Sequence, residues 1–172
     1  MGRMSWHDGS VYEGEFEYGA MHCDQAVFTY GSGSKYTGSF QVLFLTQVMR
    51  SSPLMGPDTP ARSFQANQKD GVGVFEHANG DVFRGTFKQN KMEGEGCVYR
   101  FGSHDSQLGG WYEGGFREDL VHGLGRYVYG NGESFRGSFL HGKKEGPGEH
   151  TYADGSIYRG HYVDDNMAGE DW

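Results

Sequence analysis

One five-residue pattern, aromatic, any residue, Gly, any residue, aromatic, limits the fold of this chain more than any other feature. It occurs as Tyr12-Glu13-Gly14-Glu15-Phe16, Tyr36-Thr37-Gly38-Ser39-Phe40 and Phe83-Arg84-Gly85-Thr86-Phe87. It returns as Tyr112-Glu113-Gly114-Gly115-Phe116, Phe135-Arg136-Gly137-Ser138-Phe139 and Tyr158-Arg159-Gly160-His161-Tyr162. The first aromatics follow one another at 24, 47, 29, 23 and 23 residues, so the basic period is 23. A strand alternates its faces, which puts the two rings and the glycine of each copy on one side. The glycine has no side chain, so a neighbouring ring can lie over its backbone.

A second pattern starts seven residues after the second aromatic. It reads Gly-x-Gly-x-apolar or aromatic: Gly71 to Phe75, Gly94 to Val98, Gly123 to Tyr127 and Gly146 to His150. Asn79-Gly80, Asn131-Gly132, Asp154-Gly155 and, near the start, Asp8-Gly9 then supply the positive φ angles of tight hairpin turns. Composition closes off the alternatives. There are 30 glycines in 172 residues, but also 15% aromatics, and a disordered linker lacks such rings. Only 4 prolines and no Gly-x-y triplet exclude collagen. A helical bundle with so many interior glycines loses about 1 kcal/mol at each relative to alanine. Short strands and tight turns remain, stacked because a single hairpin is marginal alone.

Tyr-x-Gly-x-Phe, then Gly-x-Gly-x-Tyr, then Asp-Gly-Ser at this period resembles the MORN repeat (membrane occupation and recognition nexus). The resemblance covers the chain except residues 41–64. It implies an all-β fold, one hairpin per repeat, stacked into an elongated single-layer antiparallel sheet. Residues 1–40 and 65–172 hold the repeats. The segment between them carries Pro53, Pro57 and Pro60. Deleting it restores the seven-residue step, so it reads either as a loop inserted in a hairpin or as a translated intron. Residues 42–64 are expected outside the sheet. A second, shorter insertion around Gly102–Gly110 reads as a lengthened hairpin tip, and the irregular step at His22–Ala26 as a bulge. Met4 and Trp6 align with Tyr127 and Tyr129, and both termini cut a repeat. The expectation is association through the array's ends, as a homodimer or with another repeat protein.

The chemistry of sites is sparse. Eight histidines show no metal-ligand spacing, and His22 and His122 read as turn residues. Cys23 and Cys97 read as free thiols of a reducing, cytoplasmic compartment. The paired glycines lack the Lys-Ser/Thr of a phosphate loop. The expectation is no enzyme, no metal and no cofactor. A net charge of −8 argues against nucleic acid and disfavours a membrane.

The aromatic stripe carries the functional reading. In the family, an aromatic- and polar-lined groove takes up a helix or peptide of a partner. By that resemblance Tyr12, Tyr36, Tyr112, Phe135 and Tyr158 are expected at the groove. Phe16, Phe40, Phe87, Phe116, Phe139 and Tyr162 would support them. The function implied is a scaffold for protein partners in a cytoskeletal or ciliary (flagellar, axonemal) assembly such as a radial-spoke-type complex. The alternatives are a peripheral tether on acidic phospholipids, with Arg84, Arg136 and Arg159 as lipid or anion contacts, and a regulatory MORN fragment of a larger enzyme.

Overall fold

A computed structural model describes residues 1–17, 20–44, 64–102 and 109–169. Thirteen strands form one open antiparallel sheet in which spatial order follows chain order. They are β1 (Gly2–Ser5), β2 (Val11–Gly14), β5 (Cys23–Thr29), β6 (Lys35–Phe44), β7 (Phe64–Glu76), β8 (Val82–Lys88) and β9 (Lys91–Phe101). The sheet continues with β10 (Gly110–Arg117), β11 (Leu120–Val128), β12 (Ser134–Leu140), β13 (Lys143–Thr151), β14 (Ile157–Val163) and β15 (Asn166–Met167). A two-stranded ribbon, β3 (Phe16–Glu17) with β4 (Ala20–Met21), lies beside it. No helix occurs among the described residues.

The register explains the glycines. Gly38, Gly73 and Gly85 lie opposite one another on successive strands, and so do Gly114, Gly125, Gly137, Gly148 and Gly160. Each ring lies across this line. A Cβ on Gly73 would stand 2.6 Å from Tyr36, one on Gly125 2.6 Å from Tyr112, and one on Gly148 2.5 Å from Phe135. These glycines are therefore required by contact. Ala26, opposite Gly38, and Cys97, opposite Gly114, occupy two places in the same line.

All twelve rings of the five-residue pattern join into one zigzag. It runs Phe16, Tyr12, Phe40, Tyr36, Phe87, Phe83, Phe116, Tyr112, Phe139, Phe135, Tyr162, Tyr158, with every step edge-to-face. Centroid separations of 5.0–5.7 Å suit that geometry, and each pair adds about 0.5–1.5 kcal/mol beyond area burial. Three tyrosine hydroxyls donate to the carbonyl three residues on: Tyr12 to Glu15 (2.8 Å), Tyr36 to Ser39 (3.0 Å) and Tyr112 to Gly115 (3.0 Å).

Two kinds of turn alternate. The Asn-Gly and Asp-Gly sites close one end of the sheet, as at His77 to Asp81, where the two backbone bonds are 2.8 and 2.9 Å. The other end uses two-residue turns with both φ positive: Gln89-Asn90, Glu118-Asp119, His141-Gly142 and Asp164-Asp165. Only one of those eight residues is glycine. Their second members tie neighbouring repeats together. Asn90 Oδ1 accepts the Lys69 N–H at 2.9 Å, Asp119 Oδ1 that of Met92 at 2.7 Å, and Asp165 Oδ1 that of Lys144 at 2.8 Å. Asn, Asp and Gly tolerate the left-handed region, which is why these residue types sit here.

Two expectations need correction. The ladder extends into the expected loop, with Leu43 opposite Gln65 and Phe44 opposite Phe64, so residues 42–44 and 64 belong to the sheet. Residues 45–63 lie outside the described residues, as do 103–108 of the shorter insertion and Trp172. His122 lies within β11, its ring 5.6 Å from that of His141. Gly96 differs from Gly73, Gly125 and Gly148, the second glycines of the other pairs: a Cβ there would meet nothing within 4 Å. A register shift between Arg84 and Thr86 moves Cys97 into that place. The bulge expected after His22 is present, between Cys23 and Ala26.

Candidate functional site: a half-buried row of rings

Four of the five rings expected at the groove are core. Tyr12, Tyr36 and Phe135 are 0% exposed and Tyr112 1%. Tyr158 is half-buried, its hydroxyl donating to the Gly169 carbonyl at 2.9 Å. Of the supporting set, Phe16 is half-buried and Phe40, Phe87, Phe116, Phe139 and Tyr162 are buried. The same-face alternation that identified these rings also packs them against glycine, and a ring wedged over backbone has little surface left for a partner.

A second row lies beside them on the same face. It comes from the strands that follow the glycine pairs, where aromatic residues stand two apart: Phe28 and Tyr30, Phe75 and His77, Tyr99 and Phe101, Tyr127 and Tyr129, His150 and Tyr152. The two-residue spacing points both rings of each pair to one side. Register places Phe75 opposite Phe83, Tyr127 opposite Phe135, and His150 opposite Tyr158. Starting at Trp6, the rings touch in sequence as far as Tyr152, with centroids 4.5–6.0 Å apart and mostly tilted planes. Except for exposed Trp6 and buried His150, they are half-buried. Each therefore keeps an open edge along the length of the array.

Polar groups punctuate the row. Lys69 Nζ sits 4.3 Å from the Phe75 centroid and 5.2 Å from that of Phe87, and Lys144 Nζ sits 4.8 Å from Phe135 and 5.4 Å from Tyr129. Ring faces attract such cations. Burial holds both ammonium pKa values below the usual lysine range. The places equivalent to these two lysines are held by Met21, Met92, Val121 and Met167, each opposite the second ring of its repeat. His150 Nε2 lies 3.1 Å from Glu133 Oε2. Tyr99 donates its hydroxyl to Asp81 at 2.9 Å. Desolvation pushes the Asp81 carboxyl up, but hydrogen bonds from the Gly102 N–H, Tyr99 and Asn79 outweigh it and hold the pKa low.

The remaining expected contacts, Arg84, Arg136 and Arg159, lie exposed on the opposite face and share one register line. Among the described residues, no group of three or more His, Cys, Asp or Glu could hold a metal ion. Cys97 is buried and Cys23 half-buried, both as free thiols. The signal for the ring row was present in the sequence as aromatic-x-aromatic after each glycine pair. It was obscured at Val98, where the misplaced Gly94-x-Gly96 register hid Tyr99.

An open sheet of hairpins in chain order, with one continuous ring-lined face, defines a solenoid-like repeat module. The particular family follows from its repeats. The family model of the MORN repeat matches residues 12–22, 63–82, 83–105, 112–134 and 135–157, more than half of the chain, which belongs to the MORN-repeat family. The copies beginning at Tyr36 and Tyr158 fall outside the matched ranges yet keep the same register in the ladder. A comparison with curated proteins found no match. MORN repeats mediate protein or membrane interactions, and no nucleic-acid-binding fold is indicated.

Proposed function

We propose that this chain is a non-enzymatic scaffold of a cytoskeletal or ciliary assembly, working in the cytoplasm by taking a helix or peptide of a partner protein onto the half-buried ring row. The observation that carries this reading is the unbroken contact of rings from Trp6 to Tyr152 on one face. Amphipathic rings with little side-chain freedom are the residues that dominate protein interfaces. Lys69 and Lys144 give the row two fixed cationic points, which select for carboxylates in the bound segment.

The test is fractionation of detergent-extracted cells with the wild-type chain and Tyr127→Ser/Tyr129→Ser, each checked for fold by circular dichroism. The wild type is expected in the insoluble cytoskeletal fraction, and the folded variant in the soluble one. A folded variant that stays with the cytoskeleton would refute the role of the row. A wild-type chain that leaves with detergent-solubilised membrane would favour the lipid tether instead.

A further inference from the structure

The face opposite the rings carries its own line of side chains. On β8 to β14 the register sets Arg84, Glu113, Arg126, Arg136, Glu149 and Arg159 along one line, with Val98 between the first two. Four arginines and two glutamates make it positive, although the chain as a whole carries −8. Glu149 is already engaged, its Oε2 accepting from Arg159 Nε at 2.6 Å. Arg126 and Arg136 stand directly opposite each other on β11 and β12. Like charges so placed destabilise a sheet. Among the described residues neither forms an ion pair. The Arg126 guanidinium lies 5.5 Å from the Trp111 ring centre, which stacks it without neutralising it. On the same face Leu124 is 77% exposed, and Pro147, two strands away on β13, is exposed as well. Arg126, Arg136, Arg159, Leu124 and Pro147, with the two glutamates, line an open groove of about 970 Å³.

We propose that this groove binds an acidic segment of a polypeptide, a carboxylate lying between Arg126 and Arg136 and apolar side chains resting on Leu124 and on Pro147. Guanidinium groups match carboxylates in a bidentate manner, and a bound carboxylate turns the repulsive pair into a clamp. The width of the positive window chooses between a peptide and a bilayer. Glu113 and Glu149 bracket the two arginines on the neighbouring strands. With strands about 4.8 Å apart, the window is only about 10–15 Å across. One or two carboxylates fit it, whereas a continuous anionic plane would also press phosphates onto both glutamates. This site stands on the far side of the sheet from the ring row and does not depend on what that row binds.

The probe is a fluorescein-labelled peptide of about 12 residues built from Glu-Glu-Leu units, long enough to cross the window in extended form. Fluorescence anisotropy would be followed at about 50 mM and about 300 mM salt. The wild type is expected to bind, to lose at least tenfold affinity at the higher salt, and to ignore the same peptide with Lys for Glu. Arg126→Glu/Arg136→Glu is expected to lose at least tenfold. Should that variant fail to fold, Arg136→Gln carries the test. It relieves the like-charge pair, so it should melt no lower than the wild type while weakening the peptide about fivefold. Unchanged peptide affinity in a folded variant would overturn the proposal. So would arginine-dependent binding to phosphatidylserine vesicles with none to the peptide.

Discussion

Replacing Gly125 by alanine tests the ring slot directly. A Cβ there would stand 2.6 Å from Tyr112 Cε2 and 2.7 Å from Cζ. Carbon atoms settle at about 3.5–4.0 Å, so the overlap is close to 1 Å. The ring has no free direction in which to move. Its hydroxyl is held at 3.0 Å by the Gly115 carbonyl. Phe116 and Phe139 meet its edges at 5.3 and 5.4 Å. Gly114, directly opposite Gly125, lies under the same ring, and a Cβ there would stand 2.5 Å from its hydroxyl. Overpacking of this kind costs about 1–3 kcal/mol when the surroundings yield. Expulsion of the ring instead gives up about 150–250 Å² of burial, which sets a ceiling near 4–6 kcal/mol.

Gly123, two residues earlier on the same strand, is the control. Nothing lies within 4 Å of its Cβ position, and only its φ of +74° resists substitution. That penalty is about 1–2 kcal/mol. In thermal melts followed by circular dichroism, Gly123→Ala is expected to lower Tm by about 2–8 °C and Gly125→Ala by more than that, toward about 10 °C or beyond where the ring is expelled. In a Tyr112→Val background, where the slot is vacant, the added cost of Gly125→Ala should fall below about 1 kcal/mol. Equal shifts for the two alanines, or an undiminished cost in the Val background, would refute the argument that contact fixes this glycine.

Two further outcomes follow from the turns and the tyrosines. Gly142 donates its N–H to the Val121 carbonyl at 2.9 Å, but it lacks the side-chain acceptor that Asn90, Asp119 and Asp165 provide at the equivalent place. Gly142→Asn is therefore expected to raise Tm by about 1–3 °C, and Gly142→Ala to lower it; a lower Tm for the asparagine variant would contradict the clamp. Burial raises the phenol pKa values of Tyr12, Tyr112, Tyr129 and Tyr162 to about 12. A raised folded pKa contributes stability below the unfolded value of about 10, and that contribution disappears as the pH climbs toward the folded value. Tyrosinate absorbance and far-ultraviolet circular dichroism should consequently change together between those limits, and Tyr112→Phe should move the transition to higher pH. Complete ionisation near pH 10 with an intact sheet would show that the rings are not sequestered.

The period and the strand faces were legible because alternation and the 23-residue step leave little freedom: Tyr158, Gly160 and Tyr162 lie on one face, with Arg159 and His161 on the other, as two-residue periodicity demands. Which rings would be left for a partner was harder to read. Tyr12 and Tyr129 are the same residue type, and only the line of glycines under the first decides that it is buried. Glycine itself carries two meanings. Gly125 makes room for a ring, whereas Gly80 supplies a φ of +91°. At Gly94-Glu95-Gly96 both glycines take a positive φ, +100° and +69°, and Cys97 takes the ring slot. The Gln89-Asn90 and Glu118-Asp119 turns contain no glycine; their signal is an Asn or Asp at the second place, one that accepts a hydrogen bond from the previous repeat.

Strand order that copies chain order has a mechanical consequence. The first and last strands lie at opposite edges of the sheet, so tension applied between them pulls along the direction in which the rungs point. Such a load falls on one seam at a time and peels it open, instead of shearing many rungs together. Each yielding hairpin of the regular part releases one 23-residue period, about 76–83 Å of contour at about 3.3–3.6 Å per residue. Stretched, the array extends in discrete steps at low force and recoils by rezipping onto its remaining neighbours. Under that load the array would yield seam by seam, unlike a rigid strut.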